Sequence, residues 1–193
     1  MKIEGWLSAC EAVALYKLIH SIDNENVTVC EIGSWLGKSS YVLACALNAH
    51  KNGKLFCVDP FNAAGDDTSK KIYQRTKKQI PTPLIEKFKK TMKELGVLDK
   101  IEILKGYSHK VIKNFNKPLD VLFIDGDHEY KAVLRDYKDW SKLIKKGGFI
   151  VFHDVGAAHT TGPKEVVELE LVKNRNWTNH LLIDELYIAK KIK

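Results

Sequence analysis

The stretch FIDGDHEY, residues 123–130, places Asp125, Asp127 and His128 directly after a run of strand-forming apolar residues. Carboxylates and an imidazole this close together are the side chains that move protons near neutral pH or hold ions. A second run, FIVFHDV at 149–155, carries His153 and Asp154 at its end. Earlier, EIGSWLGKSS at 31–40 sets two glycines four apart at a strand-to-helix turn. There a ligand can approach the backbone, and the free N–H groups of the helix start accept an anionic group. Alone, such a turn is equally ordinary punctuation of the chain. Asp59 closes LFCVDPF, where a carboxylate can take both hydroxyls of a ribose or simply form a turn before Pro60.

These groups need strands and helices to carry them. Ser8 and Glu11 make the S-x-x-E of a capping box, and Ala12, Leu15, Tyr16, Ile19 and Ile22 follow at helical spacing, so a helix opens the chain. VTVCEIGS (27–34) predicts a strand, SSYVLACALNAH (39–50) a helix and LFCVDPF (55–61) a strand. Residues 62–81 are polar and lysine-rich, and Pro81 and Pro83 predict an irregular loop of the length of a lid. TPLIEKFKKTMKELG (82–96) reads as a helix stopped by Gly96, IEILKGY as a strand, HKVIKNF as a short helix and DVLFIDGD as a strand. Asp127 is expected to cap the helix that follows, which runs to a stop at Gly147–Gly148. After FIVFHDV comes a helix from Pro163 to about Leu171. WTNHLLID and ELYIAKKI are joined so tightly that they must pair as an antiparallel hairpin.

Five strands alternating with helices, plus the hairpin, imply an α/β protein with a seven-stranded, mostly parallel sheet and helices on both faces. In such sheets ligands lie outside the carboxyl ends of the strands, near the switch in strand order. Asp59, Asp125, Asp127, His128, His153 and Asp154 all fall at such ends.

The 193 residues contain no linker-like stretch and suit one domain. The net charge of +7 comes almost wholly from dispersed lysines, with arginine only at Arg75, Arg135 and Arg175, which predicts a solvated surface rather than a nucleic-acid footprint. Cys10, Cys30, Cys45 and Cys57 form no CxxC pair and are expected to be reduced. No run approaches the ~20 apolar residues needed to cross a bilayer. The expectation is a soluble cytoplasmic protein without a membrane partner. Its oligomeric state, a homo-oligomer included, stays open.

Taken in order, the segments resemble the class I S-adenosylmethionine-dependent methyltransferases, whose fold is Rossmann-like. EIGSWLG matches their E/D-x-G-x-x-x-G first motif, VDPF the acidic end of their second strand, and the C-terminal hairpin their seventh strand inserted antiparallel beside the sixth. FIDGDHEY and FHDV are similar to the ends of the fourth and fifth strands in the small group related to cephalosporin-biosynthesis and macrolide-sugar O-methyltransferases. The resemblance spans nearly all of 1–193 as one domain, with a leading helical segment at 1–25 and a cofactor-binding and catalytic core at 27–193.

The resemblance implies S-adenosylmethionine as cofactor. It assigns Glu31, Gly33, Ser34, Gly37 and Ser39 to the methionine end, Trp35 as a cover, Asp59 to the ribose, and Tyr107 and Ser108 to the adenine, with Asp125 beside the reacting centre. It further implies a divalent-metal site at Asp125, His153 and Asp154, with His128 as the base that takes the proton of an acceptor hydroxyl. The metal-binding relatives carry an acidic residue where this chain has His153. That histidine either shifts preference from magnesium toward manganese, iron or zinc, or marks a metal-free site in which it packs or hydrogen-bonds.

The acceptor would be a small hydroxylated metabolite, such as a sugar or a phenol. The stretches 62–81 and 156–162 are expected to be mobile without ligand and to close over it. A nicotinamide dehydrogenase is the alternative enzyme, but G-x-G-x-x-G is absent because Ser34, Trp35 and Leu36 follow Gly33. A non-catalytic, cofactor-binding regulatory protein is the other alternative, against which Asp125, His128 and Asp154 argue. A base-amine methylase of nucleic acid would show D/N-P-P-Y/F/W where this chain shows D-G-D-H.

Overall fold

The structure is a computed structural model that describes residues 3–66, 69–158 and 160–193. In chain order it forms α1 (Ala9–His20), β1 (Thr28–Ile32), α2 (Lys38–Ala46), β2 (Lys54–Asp59), α3 (Lys70–Gln79), α4 (Leu84–Glu94) and β3 (Ile101–Lys105). There follow α5 (Ser108–Val111), β4 (Leu119–Ile124), α6 (Tyr130–Trp140), β5 (Ile144–Phe152), α7 (Gly162–Val166), β6 (Trp177–Ile183) and β7 (Leu186–Lys191). The seven strands lie in the order β3-β2-β1-β4-β5-β7-β6. Pairing is parallel from β3 through β5, whereas β7 pairs antiparallel with both β5 and β6. Strand order switches between β2 and β4, with β1 paired to both.

The period-2 geometry of a strand sends neighbouring side chains to opposite faces, and two apolar cores result. Val29, Cys57, Val121, Phe123 and Val151 face one way and pack with Leu15 and Ile19 of α1, Leu43 of α2, and Phe88 and Met92 of α4. Cys30, Phe56, Leu122, Ile150 and Phe152 face the other way, onto Val133 and Trp140 of α6 and Val166 of α7. The central strands are buried on both faces, which is why they read as continuous apolar runs. The capping box at Ser8 and Glu11 forms as expected. No helix among the described residues is long and apolar enough to cross a membrane.

Three local expectations need correction. The 62–81 stretch is not wholly irregular, because α3 occupies its second half. Its prolines act at the boundary: Ile80, before Pro81, is extended as a pre-proline residue prefers, and Pro83 is the N-cap of α4. Residues 67 and 68 of this stretch, and 159 of the 156–162 loop, lie outside the described residues. Gly147–Gly148 does not stop a helix. The helix ends at Trp140, and β5 runs through both glycines at a register shift opposite Leu119 and Val121, the usual meaning of glycine within a strand. Asp127 accepts the N–H of Glu129 at 2.8 Å, closing the turn before α6, while Glu129 itself is the N-cap.

Gly33 and Gly37 are required by packing of the chain on itself. A Cβ at Gly33, φ +88°, would lie 2.0 Å from the Asp125 carbonyl oxygen, and one at Gly37 would lie 2.7 Å from the Met92 side chain. The first glycine lets the ends of β1 and β4 touch, and that contact brings Asp125 beside the turn. Gly33→Ala should therefore cost more than about 3 kcal/mol, well above the ~1–2 kcal/mol of left-handed backbone alone. Gly96→Ala, at φ +71° with nothing within 4 Å of the added Cβ, should show only that backbone cost. Denaturant melts of the two variants check this, and equal losses would contradict it.

Candidate active site

Two buried carboxylates hold the glycine turn from below. Glu31, 0% exposed, accepts the hydroxyls of Ser34 (2.7 Å), Ser39 (2.6 Å) and Ser40. Burial pushes its pKa up to about 7, against the pull of the three serines. Asp59 accepts the backbone N–H groups of Ser34 and Trp35 at 2.9 Å each and that of Phe61 at 2.5 Å. Burial raises its pKa as well, opposed by these amides. A carboxylate offers about four lone-pair sites. Three are filled, so Asp59 is first a clamp joining β2 to the turn, with one site left for a ligand hydroxyl.

Trp35, at φ +47°, projects from the turn into an aromatic group: its ring centroid is 4.7 Å from that of Tyr73 on α3, and Trp6 lies 5.4 Å from Tyr73. Lys38 donates to the Gly5 carbonyl at 2.9 Å, pinning the segment before α1 over the same place. Beyond β3, Tyr107 accepts from Asn62 at 3.0 Å, and the Ser108 hydroxyl donates to Asp136 at 2.5 Å. Burial lifts the Asp136 pKa to about 6 despite that bond.

At the ends of β4 and β5, carboxylates and imidazoles alternate. Asp66 Oδ2 lies 2.5 Å from His128 Nδ1, and His128 Nε2 lies 2.9 Å from Asp154 Oδ2. The same Asp154 oxygen lies 3.2 Å from His153 Nδ1, whose Nε2 reaches Glu11 Oε2 of α1 at 3.4 Å. Asp125 Oδ1 branches from this line, 3.2 Å from His153 Nδ1. Burial disfavours charge on both rings, yet the adjacent carboxylates prevail. His128 is raised to about 9, and His153, facing Asp125, Asp154 and Glu11, is raised well above the usual imidazole range. Asp154 is correspondingly lowered: burial alone would raise it, and the two histidines outweigh that. It holds φ +60°, one of the left-handed non-glycine residues that cluster around sites.

A cavity of about 250 Å³ opens at the carboxyl ends of the strands, at the order switch. Of the residues singled out in the sequence, Gly33, Ser34, Trp35, Ser39, Asp59, Tyr107, Ser108, Asp125, His128, His153 and Asp154 line it. Glu31 and Gly37 do not; Glu31 reaches it only through Ser34 and Ser39. Asp125, His128 and Asp154 each offer one ligand atom within 4.8 Å of the others. Two carboxylate oxygens and an imidazole nitrogen suit manganese, iron or zinc better than magnesium. The sequence put His153 in that set. In the structure His153 Nδ1 lies 3.2 Å from both Asp125 and Asp154, and His128 joins the same two aspartates in the candidate donor set.

Sequence reasoning missed Trp6, Lys38, Tyr73 and Asp66, and saw Glu11 only as a helix cap. Trp6 was the one detectable signal, an aromatic just before a capped helix, and here it is 49% exposed above the cavity.

A family profile described as a methyltransferase domain matches residues 30–155, more than half of the chain. The chain is 28% identical over 145 residues to the uncharacterized protein R132 of Acanthamoeba polyphaga mimivirus, covering 72% of this chain and 57% of that one. It thus spans little more than half the length of that curated relative. Among solved structures, cofactor-bound Rv0187 from MTB superposes with a TM-score of 0.71 at 18% identity, over 98% of this chain and 84% of that one. The O-methyltransferase TomG from Streptomyces achromogenes, in complex with SAM, gives 0.69 at 18% identity over 97% and 82%. Both likenesses show the same fold.

The titration of Glu31 makes stability depend on pH. Unfolded it titrates near 4.5 and folded near about 7, so the folded chain keeps a proton that the unfolded chain has released. That contribution is complete below 4.5 and is lost as pH rises through about 7, a change of about 3 kcal/mol at ~1.36 kcal/mol per pH unit. Glu31→Gln cannot titrate, so urea melts should show the variant gaining on the wild type by roughly this amount between about pH 4.5 and 8. A difference independent of pH would contradict it.

Proposed function

The chain belongs to the methyltransferase-domain family, and from that premise we propose that it is an S-adenosylmethionine-dependent O-methyltransferase acting on a small hydroxylated acceptor such as a sugar or a phenol. The observation that carries this reading is the cavity at the strand-order switch, with a carboxylate site at Asp59 on one side and an imidazole at His128 on the other. The cofactor supplies a methyl group on a sulfonium. Cofactor-bound proteins of the same fold, among them TomG with SAM, support its use here. The donors available fit it. Ser34 and Trp35 set the turn, Asp59 has a site for a ribose hydroxyl, and Tyr107 and Ser108 border the far end. Asp59, Asp125, Asp127 and Asp154 outnumber the two charged imidazoles along the cavity, which favours a cationic sulfonium over its neutral thioether product.

His128 is the base for the acceptor hydroxyl. It has to be neutral to act, and Asp154 and Asp66 hold it charged to about pH 9, above the near-neutral value expected from its type. Trp35 and Tyr73 wall off water on the side of the N-terminal segment. A second reading is favoured by Asp125, His128 and Asp154 as a donor set. In it Asp125, His128 and Asp154 would hold a divalent ion, which would supply Lewis-acid chemistry there, and His128 would be a ligand rather than the base.

Calorimetry should show S-adenosylmethionine binding and no heat with NAD, the reverse result sinking the reading. With a methylated acceptor in hand, the base role predicts turnover rising about tenfold per pH unit toward about pH 9, where it levels. Under the base reading the rate survives exhaustive chelation; under the metal reading chelation abolishes it and manganese restores it.

A further inference from the structure

We propose that Asp66 is the positioning residue that fixes the orientation and tautomer of His128, a role that rests on the reading of His128 as the base. Asp66 lies in the segment between β2 and α3, 62 residues from His128 in the chain, and is 8% exposed. Its carboxylate is itself held: Oδ1 accepts the N–H of Ser69 at 2.8 Å and Oδ2 accepts the Ser69 hydroxyl at 2.9 Å. Oδ2 then meets His128 Nδ1 at 2.5 Å.

A carboxylate is an acceptor only, so Nδ1 of the ring carries hydrogen in every state that keeps this bond. When the ring loses a proton with this bond kept, its lone pair is therefore on Nε2, and the contact of Nε2 with Asp154 gives way to one with an acceptor hydroxyl in the cavity. Nε2 is the atom able to take a proton from that hydroxyl. Asp154 cannot enforce this alone, because its Oδ2 is shared between His128 and His153 and would equally take a hydrogen from the wrong tautomer of His128. The base orienter is thus a group on the opposite side of the ring, delivered by the segment that also lays Ala63, Ala64 and Gly65 along the cavity.

Asp66→Asn separates positioning from support. The amide oxygen can still accept from Ser69, whereas the amide nitrogen donates to Nδ1 and selects the tautomer with hydrogen on Nε2. Compared on the plateau above about pH 9, turnover should fall about 10- to 100-fold, no more than the 10²–10⁴ that a general base contributes, with KM for cofactor and acceptor unchanged within about twofold. Nitrogen-15 NMR of the neutral ring should report hydrogen on Nδ1 in the wild type and on Nε2 in the variant, and Asp66→Glu should recover much of kcat. If the Asn variant does not fold, Asp66→Ser must show the same loss confined to kcat. An unchanged kcat, or the same tautomer in both proteins, overturns the positioning role. His128→Ala turning over at the wild-type rate overturns instead the base reading beneath it.

Discussion

Two imidazoles held among four carboxylates tie this molecule together. The line Asp66, His128, Asp154, His153 and Glu11, with Asp125 beside it, runs from the segment before α3 to the first turn of α1. Charges out of water are costly unless each has partners, and removing one partner strands the next. Each end of the line accordingly organises its own surroundings. Glu11 also accepts the N–H of Ser8 at 2.7 Å and that of Glu185 at 3.0 Å, so one carboxylate caps α1, fixes the β6–β7 turn and holds His153. Asp66, through Ser69, fixes the approach to α3. Elements far apart in sequence thus converge on the ends of β4 and β5 for electrostatic reasons, while the two apolar cores supply the layers.

The glycine turn obeys a separate constraint. Because β1 and β4 touch at Gly33, the turn is pressed against the Asp125 backbone, and Asp59 and Glu31 fix it from two other directions. The glycine turn thus forms one wall of the cavity, and the N-terminal segment and α3 form another, joined by the contacts among Trp6, Trp35 and Tyr73. Cofactor and acceptor chemistry would meet where these walls adjoin the acidic line.

Most of the layer structure was legible because it depends on local periodicity: buried strands appear as apolar runs, and α1 and α4 as spaced stripes with a cap or a stop. The β6–β7 hairpin was legible because its two strand-like runs follow one another almost without a connection. α3 was not, since its helical face buries only Thr76 fully and lysines dominate the rest, so neighbouring prolines looked like disruption when they are its boundary. Gly147–Gly148 looked like a stop because glycine ends helices and relieves bulged strands alike, and only the pairing with Asp120 and its neighbours decides which. In the site, residues announced by local motifs were found, whereas Asp66 and the second role of Glu11 depend on partners 62 and 142 residues away. Gly33 was legible as a special backbone position, whereas the close approach of the Asp125 carbonyl, which also requires glycine there, depends on a strand far away in the sequence.

The most direct test of this account is the protonation of His153, read from its ring nitrogen-15 shifts across pH. An ordinary imidazole loses its proton near about 6.5. Held by Asp125, Asp154 and Glu11, His153 should stay doubly protonated well above the pH at which an ordinary imidazole loses its proton. A ring that titrates near the ordinary value, or is neutral at pH about 7, would contradict the buried charged line on which the fold of the site is argued to depend.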